Sequence, residues 1–300
     1  MTMDDKISDL FDVFPILVKP FWTKIKSIDE KPFDTEKNLF NISYLKKEDT
    51  IVANCVREST LHIMNLNTNS ISDYKYSKIS NAGMMCVGKN DDLFVSESYP
   101  HKKIYVFNSK MRLKEQIYVD SKLTIGKMKV DFTDSEYPLY MSHTEENKIS
   151  VWNTESSKLL RTIDIDEPLF VEFTKDYIYV TSMTNYDYGK SKELTRIKSG
   201  TNGICILNKL SAEFIKTISF DNWLQPFGLY IDANCNLITV AKEIDEKKRI
   251  LENRFVYILS ETGLLSHKIE IKMGPTNDIK FFDNKMLRTN GSSVEIIEFE

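Results

Sequence analysis

Basic and aromatic side chains gather in three short stretches of the chain. Tyr99 stands beside His101, Lys102 and Lys103; Tyr186 and Tyr188 precede Lys190, Lys192, Arg196 and Lys198; Lys247, Lys248 and Arg249 run consecutively. Tyrosine rings can stack a base or anchor a peptide, and flanking cations can meet phosphate or carboxylate. Over 184–202 four cations stand against Asp187 and Glu193, a net charge of +2. Over 243–253 three cations stand against Glu243, Asp245, Glu246 and Glu252, a net of −1. The chemistry these residues offer is recognition, and they also read as solvated loop charges and ordinary exposed tyrosines.

Bond-making chemistry has no comparable cluster. No Ser-His-Asp arrangement, phosphate-binding loop or paired-carboxylate motif is legible, so no catalytic residue is assigned. Cys55, Cys86, Cys205 and Cys235 are widely spaced and form no CxxC pair. Structural zinc is read from close-set Cys and His ligands, and none is read here. No metal and no cofactor is expected. Each cysteine sits in an apolar, strand-like context where a free thiol behaves as a small hydrophobe, which suits a reducing, cytoplasmic setting.

The composition narrows the partners. Forty basic and 44 acidic side chains give a net charge of −4. Binding nucleic acid through overall charge would need clustered Lys and Arg, so DNA is not an expected partner. The N-terminus, Met1 to Lys6, is acidic rather than basic and shows no signal peptide. No apolar run approaches the roughly 18 residues of a membrane span, and no membrane partner is expected.

The elements that must position these residues follow from a repeat. A strand of apolar-x-apolar-apolar type ending in Asn or a polar residue recurs at 61–65, 104–108, 149–153, 204–208, 256–260 and 294–298. Its last residues are spaced by 43, 45, 55, 52 and 38. Four-stranded propeller blades repeat at about 40–45 residues. Upstream of each anchor lies a β-branched or aromatic strand (Thr50–Asn54, Asp92–Ser96, Pro138–Ser142, Tyr177–Ser182, Asn236–Lys242, Lys285–Thr289). Downstream, after a polar turn, comes another (Ser70–Tyr76, Leu113–Val119, Leu160–Ile165, Phe214–Phe220, Leu264–Ile271). A short apolar strand leads the unit, as at Met84–Val87, Phe170–Phe173, Phe227–Ile231 and Ile279–Phe282. The expected fold is all-β: a six-bladed propeller of four-stranded antiparallel blades. The sixth unit stops at Glu300 before its fourth strand, and an open edge there would be a pairing liability. Trp22–Ile28 is predicted to fill the place and close the ring. Ile7, Leu10, Phe11 and Phe14 at helical spacing predict a short helix over 5–18 that caps the propeller. The expected organisation is a helical extension over 1–20 and a single propeller over 21–300.

The second unit, Gly83 to Glu97 followed by His101 to Phe107, resembles an NHL repeat, as does the fifth, Gln225 to Asp232 followed by Asn236 to Val240. His101 and Lys102 match the last two residues of that repeat's Asn-His-Arg segment, with Pro100 in place of the Asn. The turn glycine is replaced at Asp91 and Asn234, residues that tolerate left-handed backbone. Proteins with this resemblance are often the substrate- or RNA-binding end of tripartite-motif proteins, others are scaffolds, and related propellers are lyases or lactonases. A calcium-dependent lactonase would need Glu, Asn and Asp at the inner ends of blades. Glu172, Asp131, Asp232, Asp278 and Asn277 are the candidates. A zinc-dependent lyase would need histidines converging on the channel, whereas His62, His101, His143 and His267 fall at differing strand positions.

In such a blade the connections between second and third strands share one face with the connections between blades. The two long spacings place insertions on that face, over 184–202 in blade 4 and 243–253 in blade 5, side by side. Long loops on a rigid scaffold commonly carry binding. Three readings follow: a non-enzymatic module or scaffold that recognises a protein or peptide through this face, single-stranded RNA binding by the same face, and a metal-dependent lactonase or lyase in the channel. The identity of the partner and the oligomeric state are not legible.

Overall fold

A computed structural model describes residues 24–33, 35, 37–55, 58–97, 103–119, 123, 125–182, 186–188, 194–197, 203–219, 223–244, 250–271 and 278–300. Six four-stranded antiparallel sheets follow one another along the chain. Their innermost strands are Leu39–Leu45, Ala82–Val87, Met128–Val130, Pro168–Phe173, Trp223–Ile231 and Ile279–Phe282. The six anchor segments are the third strands, and the second strands begin and end within two residues of the predicted bounds. The fold is an all-β six-bladed propeller whose only helical element among the described residues is a 3-10 turn at Lys89–Asp91. No helix among those residues is long and apolar enough to cross a membrane.

Each blade buries both faces against its neighbours, which is why the strands carry apolar residues on both sides. Leu45, Val52 and Leu61 of blade 1 pack on Met85, Val95 and Phe107 of blade 2, and a corresponding core fills each following junction. The sixth core joins Leu39, Ile42 and Ile51 of blade 1 to Leu287 and Val294 of blade 6. The ring is closed by packing. It is also closed within a sheet: Ile25–Pro32 pairs antiparallel with Ser293–Phe299, from Ile25 opposite Phe299 to Pro32 opposite Ser293. That strand begins three residues later than Trp22–Ile28 and runs four further. The helix predicted over 5–18 lies outside the described residues.

A second repeat runs beneath the apolar one. In every blade a small polar residue of the second strand, 0 % exposed, bonds the backbone of the innermost strand or the residue just before it. Asn54 Oδ1 accepts from Asn41 N, Ser96 Oγ from Met84 N, Thr181 Oγ1 from Phe170 N and Thr289 Oγ1 from Asp278 N. Ser142 Oγ donates to the Lys127 carbonyl and Thr239 Oγ1 to that of Gly228. The strand register slips beside several of these contacts, between Ala82 and Met85 and between Phe227 and Leu229 for example, which takes backbone groups out of the ladder. The side chains restore the missing partners. Ser96→Ala is therefore expected to cost about 1–3 kcal/mol, the penalty of a buried amide without an acceptor. Urea unfolding checks this, and a change within about 0.5 kcal/mol, typical of a neutral surface substitution, would contradict it.

The turns depart from the sequence expectation in one blade. Asp91 takes positive φ (61°) as expected, but in unit five the left-handed residue is Cys235 (φ 61°), not Asn234. Asp232 explains the shift, since its Oδ1 accepts from the backbone N–H of both Asn234 and Asn236 and rolls the turn around Cys235. Cys235 is accordingly an exposed turn residue rather than a strand thiol; the other three cysteines are buried.

Candidate functional site

The face that carries the connections between second and third strands holds both insertions. In blade 4 the insertion forms its own two-stranded sheet, with Tyr186 opposite Ile197, Asp187 opposite Arg196 and Tyr188 opposite Leu194. Three of the predicted residues, Tyr186, Tyr188 and Arg196, are thus brought onto one hairpin. In blade 5 the stretch read as a loop is mostly strand: the second strand runs to Ile244, the third starts at Ile250, and these two residues pair. Only 245–249 separates them. Glu243 is buried there, its Oε1 2.6 Å from Lys268 Nζ, and is no loop charge. Lys103 is half-buried with its ammonium 5.1 Å from the Tyr118 ring centre. Tyr99, His101, Lys102, Lys190, Lys192, Lys198, Lys247, Lys248 and Arg249 lie outside the described residues.

The channel is built from the innermost strands, and its acids are matched by lysines. Strand alternation sends Met128 and Val130 into the core between blades 2 and 3 and leaves Lys127 and Lys129 for the centre. Lys127 Nζ stands 2.5 Å from Asp278 Oδ1, and Lys129 Nζ 2.7 Å from Glu172 Oε2. Asp278 Oδ2 accepts from Asn41 Nδ2 at 2.7 Å and Ile42 N at 3.1 Å, with Lys280 Nζ 3.6 Å away. Asn41 Oδ1 in turn accepts from Met85 N, and Lys280 Nζ donates to the Met85 carbonyl. One carboxylate thus links blades 6, 1 and 3, and blade 2 through Asn41. Burial pulls the Lys127 ammonium below its ordinary range and pushes the Glu172 carboxyl above its own; the paired charge opposes the shift in each case. The cavity that remains between blades 3 to 6 is about 50 Å³.

This arrangement does not fit a divalent ion in the channel. Calcium takes six to eight oxygen ligands, but both oxygens of Asp278 are engaged and three ammonium groups face the same space. Asp131 and Asp232 sit just past the innermost strands as turn residues: Asp131 holds Thr133 and Lys209, Asp232 holds Asn234 and Asn236. Asn277 lies outside the described residues. Nor do the three described histidines converge. His62 is in the third strand of blade 1, His143 ends the second strand of blade 3 with Nε2 2.7 Å from Ser150 Oγ, and His267 lies on the outer strand of blade 5. The lysines escaped the sequence reading because Lys127-Met128-Lys129-Val130 alternates like a half-exposed strand.

A further surface, unmarked by the repeat, lies at the start of the outer strand in three consecutive blades. Leu159 and Leu160, Phe214 and Ile215, and Leu264 and Leu265 are all exposed there, together with Leu210 in the turn before Phe214. Leu210 is 90 % exposed, Leu264 73 % and Phe214 62 %. Between blades 3 and 4 a groove of about 710 Å³ runs from Leu160 to Leu210. Its blade 4 turn is clamped by Arg161, which donates to the carbonyls of Leu210 and Lys209. Exposed apolar side chains grouped in this way commonly mark contact surfaces.

No family model matches the chain, and no curated protein matches it. Solved structures do. A gluconolactonase from Xanthomonas campestris is similar with a TM-score of 0.66 at 10% identity, covering 93% of this chain and 92% of that one. A virginiamycin B lyase from Staphylococcus aureus is similar at 0.61 and 10% identity, covering 91% and 99%. The WD40 repeats of RRP9 are similar at 0.60 and 10% identity, covering 93% and 99%. At these identities the likeness is one of fold, and it spans two enzymes and a repeat domain on the same propeller.

Proposed function

We propose that this chain is a non-enzymatic binding module that recognises a protein or peptide through blades 4 and 5. The observation that carries the reading is the row of exposed apolar side chains repeated at one position of the outer strand in blades 3, 4 and 5. The hairpin of Tyr186–Tyr188 and Leu194–Ile197 supports it from the other end of blade 4. The outer strand that begins at Phe214 is five residues long, roughly 17 Å at about 3.3 Å per residue, and its far end, Ile218, pairs with Ile204 at the end of the blade from which the hairpin segment departs. A partner lying along the edge of these blades can touch both. The resemblance of units two and five to NHL repeats, and the fold shared with WD40 repeats, suit such a role. The pairing of every described channel acid speaks against the lactonase reading, and the spread of the described histidines over three blades speaks against the lyase reading.

Affinity capture compares the native chain with two variants, one with 184–202 replaced by a short turn and one carrying Leu210→Glu and Phe214→Glu. The expected result is a defined set of proteins whose capture falls at least about tenfold, or 1.4 kcal/mol, with each variant while the thermal transition is kept. Capture indifferent to both changes would overturn the reading. So would capture of RNA that is released between about 50 and 200 mM salt.

A further inference from the structure

A cluster outside both surfaces has the geometry of a metal centre. Cys55 ends the second strand of blade 1, Glu58 lies in the following connection, and His62 is in the third strand. Their ligand atoms all fall within 4.8 Å of one another. Cys55 Sγ is 3.8 Å from His62 Nε2, and His62 Nε2 is 3.5 Å from Glu58 Oε2. Zinc bonds of about 2.3 Å to sulfur and about 2.0–2.2 Å to nitrogen or oxygen give tetrahedral edges of about 3.3–3.6 Å. The two edges at His62 are therefore close to those of one coordination tetrahedron, and the third is no longer than 4.8 Å.

A second observation points the same way. His62 Nδ1 is 2.8 Å from Asp73 Oδ1, on the fourth strand directly opposite His62. A carboxylate there accepts a hydrogen bond from Nδ1–H, fixes the ring orientation and leaves the Nε2 lone pair directed at Cys55 and Glu58; metal-binding histidines are held in this way. The surroundings are ordered to match. Cys55 and His62 are 0 % and 5 % exposed, Glu58 Oε1 is held by Lys37 Nζ at 2.5 Å, and the Glu58 carbonyl accepts from Ala82 N. Thr35 Oγ1 lies 3.6 Å from Cys55 Sγ.

We propose that Cys55, Glu58 and His62 bind one Zn²⁺, with Asp73 orienting the histidine and the fourth position open to water. Cys-x2-Glu-x3-His is close-set spacing, but a reading keyed to Cys and His pairs passes over it because one ligand is a glutamate. The site lies on blade 1, away from the lysine-filled channel, and does not depend on the binding surface of blades 4 and 5.

The test uses the full chain with the exposed thiol removed by Cys235→Ser, titrated with Zn²⁺ against a chromophoric chelator and separately with Co²⁺. One equivalent of each ion is expected to bind, and Co²⁺ is expected to give a thiolate-to-metal charge-transfer band. Cys55→Ser, nearly isosteric, should abolish that band. Asp73→Asn should keep the band while weakening zinc binding about 10–100-fold. Absence of stoichiometric binding would overturn the proposal, as would a band that survives Cys55→Ser or an affinity indifferent to Asp73→Asn.

Discussion

Asp278→Ala is expected to lower the free energy of unfolding by about 3–5 kcal/mol, the range for removing one partner of a buried ion pair. The carboxylate is 0 % exposed and is the shared acceptor for Lys127, Asn41 and the Ile42 amide. Without it the Lys127 ammonium is left against the Phe170 ring, 5.1 Å from its centre, in a site that already disfavours its charge. Lys127→Met should cost less, because Asp278 keeps Asn41, Ile42 and the more distant Lys280. Combining Lys127→Met with Asp278→Asn should recover most of the loss, since the buried pair is removed together and the one charge that loses a partner, Lys280, is partly exposed and keeps its bond to the Met85 carbonyl. Chemical denaturation of the three variants measures all of this. A loss below about 1 kcal/mol for Asp278→Ala would mean that the network is incidental to the ring.

Removal of residues 1–33 should have an effect as large or larger. Blade 6 would keep three strands and present Ser293–Phe299 as an open edge. Seven paired positions would be lost, together with Phe33, which is buried in the core between blades 6 and 1. At about 0.5–1.5 kcal/mol per hydrogen bond, plus about 2 kcal/mol or more for a buried aromatic ring, the loss is at least about 5 kcal/mol. Domains of ordinary stability have a margin of about 5–15 kcal/mol. The truncated chain is therefore expected to lose its cooperative thermal transition or to associate through the exposed edge. A monomeric chain that melts within a few degrees of the native one would show that the ring closes without this strand.

These expectations also show where the sequence was informative. The third strands were legible because both of their faces are buried, so Ile104-Tyr105-Val106-Phe107 and its counterparts read as apolar runs with a polar stop. The missing fourth strand of the last unit pointed to a donor at the N-terminus, and only its limits shifted, to Ile25–Pro32. What was illegible depends on where a side chain points. Lys127 and Lys129 look like surface residues until strand alternation turns them into the channel. Glu243 reads as a loop charge until the ladder through Ile244 and Ile250 brings it inside the blade. The bonds from Asn54, Ser96, Ser142, Thr181, Thr239 and Thr289 recur as faithfully as the apolar anchors, but small polar residues are too common in strands and turns to be seen as a repeat. The apolar row at Leu160, Phe214 and Leu264 was visible only as the start of three strands, because nothing in a sequence says which leucines remain uncovered.

The described acids of the channel are held by lysines, and the proposed recognition lies at the edge of the propeller. Calorimetric titration of the full chain with Ca²⁺, beside Glu172→Gln and Asp278→Asn variants, tests this arrangement most directly. The expected result is no saturable calcium binding tighter than about 10⁻³ M, the weak end of protein calcium sites, and no difference among the three proteins. A single calcium site in the native chain that is lost in either variant would contradict it and return the function to the channel.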